Sequence, residues 1–123
     1  MGADLTIEKT RRYFRDSYNS WNSWWPIGLS YWSISEEFQK KGWVVDGVLK
    51  LEGVKEIARL VKATKFDEQR VETRYRDDCK KFEWEVTNNK LHEYIEQMRT
   101  HDKEMREFWG EAVKEKSAVE WSV

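Results

Sequence analysis

The groups in this sequence best equipped for chemistry lie in the run Arg12-Tyr13-Phe14-Arg15-Asp16-Ser17-Tyr18-Asn19 and in the tryptophans that follow it. Arg15, like Arg12, carries a fork of N–H donors suited to gripping a phosphate or carboxylate through two parallel bonds. Tyr18, Trp21, Trp24, Trp25 and Trp32 offer flat faces on which a base or ring can stack. With Arg12 and Arg15 they form a set of seven candidate binding residues, for a small ligand, a nucleotide or a protein partner. The same residues have a plainer reading, an Arg12–Asp16 ion pair one helical turn apart with the aromatic rings as core. A recognition surface is the third use. Tryptophan and arginine are enriched at binding hot spots, and monomers rarely expose large apolar patches.

Other chemistry is thinner. His92 and Glu96 stand four positions apart and His101 and Glu104 three, but the two pairs fall on opposite sides of one helix. Each supplies only two ligands, and no zinc-type set surrounds the lone Cys79, so neither a metal nor a cofactor is expected. Cys79 falls on the apolar stripe of its segment, where a thiol behaves as a small inert hydrophobe. The carboxylates Asp67, Glu68, Glu72, Asp77, Asp78, Glu83 and Glu85 interleave with lysines and arginines. That pattern describes a salt-bridged solvent face rather than an acid–base pair. Glycine-rich phosphate loops and nucleophile motifs are absent, so an enzyme is not expected.

The totals narrow the partners further. Lys+Arg 22 against Asp+Glu 23 leaves a net charge of −1, with no global field to draw nucleic acid or an anionic membrane. A single cysteine and the absence of a long apolar run point to a reducing, cytoplasmic setting without a membrane span. At 123 residues, 39% hydrophobic and 37% charged, the chain reads as one helical domain over residues 1–123.

The elements that must position the candidates follow from periodicity. Ala3–Glu8 and Ala118–Val123 alternate with period two, which predicts two short terminal strands, most economically paired with each other. Lys9–Tyr18 is expected to be a first helix with a basic face of Arg11, Arg12 and Arg15. Asn19, Ser20, Asn22 and Ser23 form a polar cluster able to cap or turn, and Pro26 and Gly28 mark breaks. Leu29–Lys41 reads as a helix starting near Ser30 or Ser33 and ending at Gly42, and Asp46-Gly47 as a tight turn. Val54, Ile57, Ala58 and Val61 predict a helix over Leu51–Ala63. Phe66–Val86 and Leu91–Val113 carry two further stripes that change phase at Thr87–Asn89, favouring a long C-terminal hairpin. The expected fold is mainly α, a compact bundle of about five helices with its terminal strands paired.

Met1-Gly2-Ala3-Asp4-Leu5, the YFRDSYN run at Tyr13–Asn19 and the GLSYW run at Gly28–Trp32 resemble a family of small uncharacterised proteins from bacteria and their phages. The resemblance covers the first third of the chain and the last few residues. It implies a bacterial or phage origin and a mostly helical domain, and it implies no activity. The functional expectation is a non-enzymatic protein-binding module, in one form a phage inhibitor of a host component. One alternative is a tryptophan-lined pocket for a small ligand or nucleotide, with Arg12 or Arg15 holding its charge. Another is a homodimer through Leu91, Ile95, Met98, Met105 and Trp109.

Overall fold

A period of two governs Gly2–Ile7 and Tyr13–Ser17 near the start of the chain. The computed structural model describes residues 2–123. Strand β1 (Gly2–Ile7) turns Ala3, Leu5 and Ile7 inward. Strand β2 (Tyr13–Ser17) turns Phe14 and Asp16 inward and leaves Tyr13 and Arg15 outside. The two run antiparallel, with Leu5 opposite Phe14, Ala3 opposite Asp16 and Asp4 opposite Arg15. A tight turn through Arg11, at φ 61°, joins them. The helix expected over Lys9–Tyr18 is therefore a strand. Its alternation is concealed because one of its two inward positions holds a carboxylate instead of an apolar side chain.

The C-terminal strand, β5 (Val119–Ser122), pairs with the other edge of β1, placing Trp121 beside Leu5 and Val119 beside Ile7. This joins the two ends of the chain, as their alternation predicts. A two-residue hairpin completes the sheet. Strands β3 (Val44–Val45) and β4 (Val48–Leu49) flank Asp46 and Gly47, whose positive φ of 53° and 74° match the twist that such tight hairpins require. β4 pairs with β5, giving a five-stranded antiparallel sheet in the order β2-β1-β5-β4-β3. Four α-helices accompany it, so the expected five-helix bundle is corrected to a mixed α/β fold.

Helix α1 (Tyr31–Lys40) starts where the Ser30 hydroxyl accepts the Ser33 N–H, and Gly42 follows it at φ 73°. Helix α2 (Leu51–Lys62) buries Val54, Ile57 and Val61. Helix α3 (Glu68–Lys81) is capped by Asp67 and α4 (Asn88–Lys114) by Thr87, and the two pack as a hairpin. The inward face of the sheet meets α1, α2 and the C-terminal half of α4, where Met105, Phe108, Trp109 and Ala112 enter the main core. The N-terminal half of α4 builds a second, smaller core with α3 from Val71, Leu91, Tyr94, Ile95 and Met98. At about 40 Å by its helical rise, α4 is long enough to serve both.

Candidate functional site

The chain leaving β2 is held by a side chain that acts as backbone. Asn22 donates its amide to Ser17 O at 2.6 Å, while its Oδ1 accepts the N–H groups of Trp24 at 2.8 Å and Trp25 at 3.2 Å. This clamp starts the short 3₁₀ turn Trp25–Ile27, which Pro26 suits because its fixed φ and missing N–H cost nothing there. Gly28 ends the turn at φ 82°, a conformation that other residues adopt with strain. Trp24 is thereby sent inward and Trp25 sideways. Trp24 is fully buried and stacks on Tyr31 with ring centroids 3.6 Å apart and planes 3° from parallel.

Between Tyr18, Trp25, Tyr31 and Trp32 lies a cleft of about 270 Å³, with Asn19 on its rim and Arg74 of α3 closing one side. The Arg74 guanidinium lies 5.1 Å from the Trp25 ring centroid, within cation–π range, and Arg70 donates to Trp25 O at 3.1 Å. Tyr18 meets Trp32 edge-on at 5.5 Å. Burial raises the pKa of the Tyr18 phenol. The Trp25 indole N–H is buried with no partner among the described residues.

Of the seven sequence candidates, the fold brings Tyr18, Trp25 and Trp32 together at this cleft. Trp21 lies outside its lining and packs edge-on against Tyr94 at 4.8 Å. Trp24 belongs to the core. Arg12 pairs with Glu111 at 3.1 Å, and Arg15 with its cross-strand neighbour Asp4 at 2.8 Å. Neither arginine lines the cleft, and the expected Arg12–Asp16 pair does not form. Arg74 supplies the cation instead.

Asp16 has a different role, at the back of the cleft wall. Its carboxylate is fully buried and receives four donors. Oδ1 accepts from Ser23 N at 2.9 Å and faces His101 Nε2 at 2.8 Å, while Oδ2 accepts from the Ser23 hydroxyl and from Tyr31 Oη at 2.7 Å. An ionised carboxylate only accepts, so His101 donates through Nε2–H. Its ring also stacks on Phe14 at 5.2 Å. Burial, reinforced by the adjacent Asp16 charge, pushes the Tyr31 pKa well above its ordinary value of 10.0. Ser23 and His101 each bond to Asp16 and not to one another, so they make no nucleophile–base pair. The arrangement joins β2, the following loop, α1 and α4 at one point. It ties these four segments together.

The sequence offers Asp16 as an ion-pair partner of Arg12, His101 beside Glu104 on a solvated helix face and Ser23 in a capping cluster. It thus names these three residues in other roles, and it does not single out Arg74. One signal existed, the break in the α4 stripe at Thr100–Asp102. There His101 reaches Asp16, and the buried Asp102 accepts from Arg106 Nε at 2.8 Å. No clustering of three or more potential metal ligands occurs among the described residues, and no helix is long and apolar enough to cross a membrane. Comparison with protein-family models, with curated proteins and with solved structures finds no match. The family resemblance therefore rests on its own residues.

Proposed function

We propose that this chain is a non-enzymatic binding module whose recognition element is the cleft between the Tyr18–Trp32 stretch and α3. The observation that carries this reading is Trp32. It is 65% exposed on the first turn of α1, at the mouth of a cleft already lined by Tyr18, Trp25 and Arg74. Tyrosine, tryptophan and arginine around a recess are the composition of a binding hot spot, and the core has no use for a ring left in water. The Asp16 network supports the reading, because it fixes the cleft wall through Tyr31 and contains no accessible nucleophile. A protein from a bacterium or phage that captures a host component is one form of it, carried by the family resemblance alone.

A free small molecule in the same cleft is the second reading, favoured by the unpartnered Trp25 N–H. Self-association through α4 has less support. Leu91, Ile95, Met98, Met105 and Trp109 are all covered by the chain itself. A photo-crosslinking side chain at the exposed Ser33, beside an intact Trp32, compared with one at the exposed Lys55 of α2, tests the proposal in cells of the natural source. A partner trapped at position 33, absent at 55 and lost with Trp25→Ala or Trp32→Ala, is the expected result. Identical products from both positions, or none from either, would overturn it.

A further inference from the structure

We infer that the cleft receives an acidic aromatic peptide segment, one flat ring entering beside Trp25 and Trp32 and one carboxylate meeting Arg74 and the start of α1. This rests on the binding-module reading above and names the chemistry of its partner. Size argues for the ring. A recess of about 270 Å³ sits at the lower limit of the roughly 300–1,000 Å³ usual for an entire small-molecule ligand. One ring-bearing side chain fits there while the rest of its chain runs outside, across the exposed face of Trp32.

Charge argues for the carboxylate. Among the described residues, Arg74 is the only charged one lining the cleft. Helix α1 opens onto it with no acidic residue in its first turn. The Ser30 hydroxyl takes the Ser33 N–H and the Ser30 carbonyl takes that of Ile34, leaving the Tyr31 and Trp32 N–H groups ahead of the first helical bond. Asn19 uses its Oδ1 on the Trp21 N–H, which frees its amide N–H groups as donors. Among the described residues Arg74 pairs with the Asp78 carboxylate at 3.6 Å, and an incoming carboxylate would take its place. Beyond Trp25 the adjoining groove carries Asp67 and Asp77 beside Arg70 and Arg74, so the acidic preference belongs to the Tyr18–Trp32 side.

The test follows the tryptophan indole N–H resonances of the full chain during titration with three blocked tripeptides. One has tryptophan between two aspartates, one tryptophan between two lysines, and one alanine between two aspartates. The expected result is a shift of the Trp25 and Trp32 signals by the acidic tryptophan peptide, with roughly tenfold tighter binding than the basic one, the size of one charge-assisted contact. Arg74→Gln should bring that ratio close to one. Equal binding of the acidic and basic peptides would overturn the carboxylate while leaving the cleft as a recognition element. Equal binding of the alanine peptide would overturn the ring. Free N-acetyltryptophan matching the tripeptide would replace the peptide by a small molecule. No shift at Trp25 or Trp32 with any probe would overturn the binding-module reading as well.

Discussion

Replacing Asp16 by alanine removes a single acceptor group on which three buried donors depend. They are the Ser23 N–H, the Ser23 hydroxyl and the Tyr31 hydroxyl, on residues 1% and 3% exposed. A buried donor left without a partner costs about 1–3 kcal/mol. Partial entry of water into the vacated space puts the total at about 3–6 kcal/mol, a large share of the roughly 5–15 kcal/mol that keeps a domain folded. His101 behaves differently because its side chain is 22% exposed and can turn to solvent. Removing that ring with His101→Ala should cost about 1–2 kcal/mol, from one bond to a charged group and the stacking on Phe14. Urea unfolding followed by circular dichroism and by tryptophan emission measures both, with the slope checked for constancy. Trp24, stacked on Tyr31, reports the same wall of the site. In the Asp16→Ala background His101→Ala should cost about 1 kcal/mol less than in the original chain, because the shared bond is already gone. A loss below about 1 kcal/mol for Asp16→Ala, or strict additivity of the pair, would refute the view that this carboxylate holds the site together.

Three further perturbations follow from the same geometry. Tyr31 holds its proton to higher pH in the folded chain than its ordinary 10.0, so unfolding above that pH releases a proton. The stability it contributes is complete below pH 10 and falls as pH rises beyond it, and alkaline titration of Tyr31→Phe should show a shallower decline. Trp24→Ala should cost about 3–5 kcal/mol, whereas Trp32→Ala, at an exposed position, should stay within about 0.5 kcal/mol and lose only binding; thermal melts of the two variants check this. Gly2→Ala would place a methyl group 2.4 Å from the Asp16 carbonyl oxygen, so β2 must shift. A destabilisation of about 1–3 kcal/mol is expected in the same melts.

The fold class was not legible, but individual elements were where the signal was local. The terminal strands show unbroken alternation, α2 shows a clean stripe, and Ser30, Gly42 and Asp46-Gly47 mark a cap, a stop and a turn that the structure contains. The sheet was not legible, for two physical reasons. β3 and β4 have two residues each, too few to show any period, and they depend on pairing with each other and on that of β4 with β5. β2 looked helical because Arg11, Arg12 and Arg15 suggested one basic face. In the fold Arg11 is in the turn and reaches Glu120, Arg12 reaches α4, and Arg15 lies on the outer surface of the sheet.

The site was legible as a set of residue types and illegible as a place. Trp24 and Trp25 are adjacent and identical, yet one is core and the other lines a cleft. The Asn22 clamp separates them, and it is visible only once Ser17 is known to end a strand. Arg74 comes from a helix whose charges read as an ordinary solvent face, and its distinction is to lie over Trp25. Asp16 and His101 are 85 positions apart. An inward-pointing charge in a short strand breaks the pattern by which strands are recognised, and it persists only if the fold surrounds it with donors. Here those donors come from the loop, from α1 and from α4, three of the segments that must be fixed for the aromatic wall of the cleft to exist. The misread helix and the overlooked buried network thus share a cause. It is the carboxylate of Asp16, which hides β2 in the sequence and anchors the cleft in the structure.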